Sequence, residues 1–156
     1  MAKTTPATLA LDKAGVVYGL ATYDYDPEAP RVGLQAAESL GVAPERVLKT
    51  LMTLVDGKPV CAVLASDQEV AMKKLAAAVG GKSAGMMKPA DAERITGYRV
   101  GGVSPFGQKK PVPTVVDAAA MVHAKVYVNG GQRGLQVELS PADLATALGA
   151  KVAPLT

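Results

Sequence analysis

The chain is nearly devoid of aromatic residues, with no tryptophan, one phenylalanine and five tyrosines among its 156 residues. Base stacking on aromatic platforms is therefore excluded as the main way it would hold a nucleic acid. It has one cysteine, Cys61, and one histidine, His123. A lone cysteine closes no internal disulfide, which fits a reducing cytoplasmic setting, and no Cys/His cluster has zinc-site spacing, so neither a metal nor another cofactor is expected. Any Ser-His or Cys-His machinery would have to use His123. Its neighbours Met121, Val122, Ala124 and Lys125 lead into a strand and offer no nucleophile elbow, while Cys61 sits among apolar residues and reads as a small buried hydrophobe. Catalysis by a protein nucleophile is disfavoured accordingly. No apolar run approaches the ~18 residues of a membrane span, and the segment Met1 to Pro6 lacks the apolar stretch of a secretion signal. No membrane partner is expected.

What is present is 49% hydrophobic residues, enough for a sizeable core, in a length that fits one domain over residues 1–156. Seventeen Lys and Arg against fourteen Asp and Glu give a net charge of +3. The basic residues thicken between Lys73 and Arg133, as a one-sided patch for a polyanion would require.

Local signals predict an α/β fold. Thr5 and Pro6 open a helix through Leu9 and Leu11 that Gly15 closes. A strand comes next over Val16 to Tyr23, then a turn-rich loop from Asp26 to Pro30, a short helix ending near Gly41 and a turn at Pro44. Val47 to Val55 and Val60 to Ala65 flank Asp56-Gly57, the strongest hairpin cue in the chain. Helices are predicted over Met72 to Val79, Ala90 to Ile95 and Pro141 to Leu148, and strands over Pro113 to Val116, Lys125 to Val128 and Leu135 to Leu139. Several connections resemble hairpins and no regular βαβ period exists, so the sheet is expected to be mixed and mainly antiparallel, with short helices around it.

Two features point to a site. Lys49 interrupts an apolar strand; with period two it shares a face with Leu51, Thr53 and Val55, while Thr50, Met52 and Leu54 face the other way. Its ammonium either snorkels from a sheet edge or meets a phosphate or carboxylate. The second feature is the run from Gly97 to Lys110, where Gly101-Gly102-Val103-Ser104-Pro105 is a turn able to present backbone N–H groups to an oxyanion, with Ser104 adding a hydroxyl. A second glycine turn at Gly131-Gln132-Arg133-Gly134 is able to close on it. Neither has the strand, glycine spacing and following helix of a phosphate loop or dinucleotide fingerprint. Lys109, Lys110 and Arg133 read as phosphate contacts or as solvated charge, and Tyr23 and Tyr98 as site aromatics or partly buried core.

In order and spacing, Leu48-Lys49-Thr50-Leu51, Thr96-Gly97-Tyr98, Gly101 to Pro105 with Gly107-Gln108-Lys109-Lys110, and Gly130-Gly131 with Arg133-Gly134-Leu135 resemble the YbaK/EbsC group of aminoacyl-tRNA deacylases. That group is related to the editing domain of bacterial prolyl-tRNA synthetases. The resemblance covers nearly the whole chain and implies a barrel-like mixed sheet. It further implies an enzyme acting in trans on tRNA(Pro) mischarged with cysteine, with prolyl-tRNA synthetase as a partner in a ternary complex. It carries the family's strand lysine onto Lys49 and its neighbour onto Thr50, the early tyrosine onto Tyr23, the Gly-x-x-x-Pro loop onto Gly101 through Pro105, and the second glycine loop onto Gly130 and Gly131. In the family's substrate-assisted mechanism the thiol of the attached cysteine attacks its own ester, which agrees with the absence of a protein nucleophile. Lys49, Gly101 and Gly102 are then the catalytic candidates. Two positions depart from the family pattern: Gln136 stands where aspartate is common, and Asn129 where serine is expected. Glutamine keeps a hydrogen-bond acceptor for a substrate α-ammonium but gives up the charge. An alanyl-tRNA(Pro) editing enzyme and a non-hydrolytic module binding tRNA ends or a synthetase therefore stand as alternatives.

Overall fold

A computed structural model describes residues 4–30 and 34–156; Met1 to Lys3, part of the segment weighed as a secretion signal, lie outside them. Helix α1 (Pro6–Lys13) starts on a reciprocal cap, in which the Thr5 and Thr8 hydroxyls accept each other's backbone N–H at 3.1 and 2.9 Å. Strand β1 (Gly19–Thr22) is shorter than predicted, and α2 (Gln35–Leu40) ends at Gly41. A 3₁₀ turn at Pro44–Arg46 leads into β2 (Leu48–Val55) and β3 (Lys58–Ala65). These form the predicted hairpin, with Asp56 and Gly57 both at positive φ (50° and 81°), as a two-residue primed turn demands.

Then come α3 (Met72–Ala78), β4 (Ala84–Met86), α4 (Pro89–Thr96), β5 (Thr114–Asp117), a 3₁₀ segment at Ala118–Val122, β6 (Val126–Asn129), β7 (Leu135–Leu139), α5 (Pro141–Leu148) and β8 (Lys151–Ala153). Two sheets result. One has the order β1-β7-β6 and is antiparallel throughout. The other has the order β4-β2-β3-β5-β8, antiparallel across β2 but parallel at β3-β5 and β5-β8. A parallel bridge between Val47 and Tyr127 joins the sheets. The main core draws from both, with Leu48, Met52, Cys61, Val63 and Val116 meeting Val126, Val128, Val137 and Leu139. A second cluster packs α3, through Leu75 and Ala76, on the opposite face of β2 and β3. The mixed, barrel-like α/β architecture agrees with the sequence reading.

Two strands escaped that reading. β4 is held by turn chemistry: Asp56 N–H donates to Ser83 O at 2.8 Å, and the Asp56 carboxylate accepts from Lys82 and Ser83 N–H. β8 is three largely exposed residues anchored through Leu155 just beyond it, which is fully buried and whose N–H donates to Asp117 Oδ1 at 3.0 Å.

Candidate active site

The site lies where one edge of β2 is left uncovered. Ser66 N–H donates to Val47 O at 2.8 Å, which fixes the phase of the antiparallel β2-β3 ladder. Val47, Lys49, Leu51 and Thr53 turn their backbone groups to β3; Leu48, Thr50 and Met52 turn theirs to the opposite edge. β4 covers that edge from Thr53 to Val55, Met87 N–H donates to Met52 O at 3.1 Å, and the bridge at Val47 covers its start. Among the described residues no strand pairs with Thr50 there, and a cavity of about 340 Å³ opens beside it.

Separate stretches of chain wall this cavity. β2 gives Lys49, Thr50 and Met52; Tyr23 and Tyr25 come from the extended segment after β1; Val100, Gly101 and Val103 come from the glycine loop; and Asn129 and Gln136 come from the ends of β6 and β7. Met86, Met87, Pro89 and Ala92 make one side apolar. Neither His123 nor Cys61 reaches it, and burial pushes the Cys61 thiol up to about 12, which keeps it protonated and inert.

Lys49 is half-buried and, among the described residues, forms no ion pair. Burial lowers its pKa below the usual 10.5, opposed by the more distant carboxylates of Glu69 and Asp67. A partly desolvated ammonium without a partner in a pocket wall is a site for an anion. Among the described residues, two buried side-chain oxygens, Thr50 Oγ1 and Gln136 Oε1, have no hydrogen-bond partner. The Gln136 amide reaches the Tyr23 hydroxyl, which helps hold down a tyrosine pKa that burial and Tyr25 raise. Gln136 is 4% exposed, so its free oxygen is a costly orphan unless a ligand donates to it.

Backbone hydrogen bonds revise the reading of the glycine loop. Gly102 N–H is closed on Arg99 O at 2.8 Å, whereas Gly101 and Val103 N–H have no partner among the described residues. The amides free for an oxyanion are therefore those of Gly101 and Val103. Gly102 has a different reason to be glycine: a Cβ there would lie 2.8 Å from the backbone nitrogen of Arg133, so the two glycine loops touch main chain to main chain.

Ser104 and Pro105 are buried away from the cavity. The Ser104 hydroxyl accepts from Phe106 N–H at 3.2 Å and is not a pocket donor. Gly130 and Gly131 also lie outside the wall: Gly130 O accepts from the Thr5 hydroxyl at 2.5 Å, and a Cβ on Gly131 would meet Tyr98 at 2.9 Å. Tyr98 is core, its hydroxyl donating to Phe106 O at 2.6 Å. Lys109 and Lys110 are exposed and outside the cavity, while the Arg133 guanidinium is engaged, donating from Nε to Val100 O at 2.9 Å and lying 5.2 Å above the Tyr25 ring. Tyr25, Met52 and Met87 are wall residues that the sequence did not single out. The i, i+2 spacing of Tyr23 and Tyr25 in extended chain is the one signal that pairs Tyr25 with the site.

Fold and pocket together define a barrel-like α/β domain that presents an ammonium and free backbone amides to a ligand, with no histidine or cysteine in the pocket wall. Comparison with known proteins makes the class specific. The chain belongs to the aminoacyl-tRNA editing domain family, whose model matches residues 27–147. EbsC of Enterococcus faecalis, named as a candidate Cys-tRNA(Pro)/Cys-tRNA(Cys) deacylase, is 40% identical over 121 residues, 77% of this chain and 74% of its own. A proline–tRNA ligase of Streptococcus suis is 31% identical over 108 residues, 69% of this chain but 17% of the ligase. A crystal structure described as a candidate trans-editing enzyme for prolyl-tRNA synthetase superposes with a TM-score of 0.82 over 99% of both chains, at 22% identity, and so speaks for the fold. No helix among the described residues is long and apolar enough to cross a membrane.

Proposed function

We propose that the protein is a cytoplasmic editing enzyme that hydrolyses Cys-tRNA(Pro). The observation that carries this is the cavity at the open edge of β2, which gathers Lys49, Thr50, Gly101, Val103 and Gln136 with no histidine or cysteine in its wall. In the reaction the substrate thiol, as thiolate, attacks its own ester carbon. The developing oxyanion accepts from Gly101 and Val103 N–H. Collapse breaks the bond to the terminal ribose oxygen, which takes the proton lost by the thiol, and leaves a cysteine thiolactone that water opens. The domain supplies geometry and charge stabilisation, which are effective where both reacting groups belong to one substrate. Lys49 holds the terminal phosphate or ribose region, and Tyr23 and Thr50 flank the aminoacyl group. Lys109 and Lys110 contact the tRNA backbone. The mild charge and scarce aromatics favour tRNA identity being read by prolyl-tRNA synthetase on the same tRNA.

The test is a deacylation panel of Cys-, Ala- and Ser-tRNA(Pro). Rapid loss of the cysteinyl ester, with thiolactone trapped by an added amine, is expected. Hydrolysis of the alanyl ester alone would select the alanyl-editing reading. Tight tRNA binding without turnover of any ester would select a binding module.

Gln136 Oε1 is the acceptor assigned to the α-ammonium. Gln136→Glu places a carboxylate there and is expected to lower KM about tenfold for Cys-tRNA(Pro), in line with a charge-assisted hydrogen bond. N-acetyl-Cys-tRNA(Pro), which has no ammonium, should show no such gain. An equal change for both substrates would remove the assignment.

A further inference from the structure

We infer that Asn129, at the end of β6, and Arg133, in the turn that follows it, are positioning residues that preset the peptide planes of Val100 and Gly101 and so aim the Gly101 N–H into the cavity. This rests on the deacylase reading of that cavity. Buried or crowded main-chain groups require partners, and the groups on either side of the Gly101 N–H each have one.

Val100 N–H donates to Glu93 Oε2 at 2.9 Å, and Gly102 N–H to Arg99 O at 2.8 Å. The carbonyls of Val100 and Gly101 are both taken by side chains of the facing turn: Arg133 Nε donates to Val100 O at 2.9 Å and Asn129 Nδ2 to Gly101 O at 3.3 Å. No peptide bond in the described chain is cis. In a trans peptide the N–H opposes the C=O, so fixing Val100 O toward Arg133 turns Gly101 N–H to the other side, where Gly101 lines the cavity. Among the described residues that N–H has no partner, while the N–H groups of Val100 and Gly102 on either side are tied.

The two clamps are themselves held. Asn129 Oδ1 accepts from Gly131 N–H at 2.7 Å and Gln132 N–H at 3.2 Å, and Nδ2 also donates to Gln132 O at 3.2 Å. These four contacts need an amide, with an acceptor and a donor on one head; a carboxylate supplies only the first and a hydroxyl cannot span both loops. The Arg133 guanidinium lies over the Tyr25 ring, which sets its plane, and a Cβ on Gly101 would meet the Tyr25 hydroxyl at 2.6 Å. Asn129 and Arg133 are therefore structural counterparts of the donor they aim, and neither contacts the reacting atoms.

The isosteric Asn129→Asp and the charge-conserving Arg133→Lys test this in the full chain. Both are expected to lower single-turnover kcat on Cys-tRNA(Pro) about 10- to 100-fold, the scale of a misaligned catalytic group, with KM and the salt dependence of binding unchanged. Hydrogen exchange at the Gly101 amide should change in both variants, a readout independent of turnover. Arg133→Lys, at an exposed position, keeps the test open if Asn129→Asp fails to fold. Wild-type kcat retained in Arg133→Lys, with KM raised and the salt slope flattened in Arg133→Met, would overturn the inference and make Arg133 a phosphate contact. Absence of turnover in the unsubstituted protein would instead refute the deacylase reading itself, and the exchange measurement would still report whether the two side chains set the loop.

Discussion

Gly102→Ala is expected to reduce kcat/KM for deacylation by at least about 100-fold, the scale associated with the loss of an oxyanion donor. The substitution adds one methyl group, and the size of the effect is set by where that group goes. A Cβ at this position would lie 2.8 Å from the backbone nitrogen of Arg133, 3.0 Å from the carbonyl carbon of Gln132 and 3.3 Å from Gln132 Cα. All three are main-chain atoms, so no side chain can swing aside. The glycine loops must separate, and the hydrogen bonds from Asn129 and Arg133 that cross between them lengthen with it. Overpacking of this kind costs roughly 1–3 kcal/mol in stability, or a fall of a few degrees in Tm for a chain of this length, so the variant should still fold. Gly85→Ala is the control: nothing lies within 4 Å of a Cβ there, and its activity should stay within about twofold of the unsubstituted protein. Steady-state kinetics with thermal unfolding on both variants decides the matter; normal activity in Gly102→Ala would separate loop apposition from catalysis.

Lys49→Met is expected to lower kcat/KM about 10- to 100-fold, mainly through KM, and at the same time to raise Tm at neutral pH. The first effect is the loss of a charge-assisted contact to substrate phosphate or ribose. The second comes from the direction of the pKa shift. Burial holds the folded-state pKa of Lys49 below 10.5, so the folded protein binds this proton less tightly than the unfolded chain does. At neutral pH both states are protonated and the full desolvation penalty is carried; it is relieved only as pH rises through the lowered pKa. Removing the ammonium removes the penalty at every pH below that point. Substrate affinity should likewise weaken on the alkaline side below pH 10.5, and Lys49→Arg, whose charge persists, should abolish that limb. A variant less stable than the parent, with unchanged KM, would mean that Lys49 serves the fold.

In the sequence Lys49 is conspicuous because strand parity and an apolar context leave an ammonium with few places to go. The Asp56-Gly57 turn marks the hairpin that carries it, since few dipeptides tolerate two successive positive φ values. β4 and β8 were hidden for the opposite reason: each is three residues long, and each is held by contacts remote in sequence, from Asp56 and Asp117 respectively. At the site, residue type disclosed capability but not commitment. Gly102 has a donor that the loop consumes internally, Ser104 a hydroxyl turned to Phe106, and Arg133 a guanidinium already in use. Tyr25, Met52 and Met87 enter a wall assembled from distant segments, and no local pattern brings those segments together.

In the proposed reaction the cavity beside Thr50 cleaves an aminoacyl ester with the substrate's own thiol as nucleophile. Single-turnover deacylation of Cys-tRNA(Pro) against Ser-tRNA(Pro), which differ by one sulfur-to-oxygen exchange, measures it most directly. The cysteinyl ester should be cleaved far faster than its spontaneous rate and the seryl ester close to its own, since an alcohol is protonated where a thiol is partly ionised. Equal acceleration of both esters would contradict attack by the thiol and require water as the nucleophile.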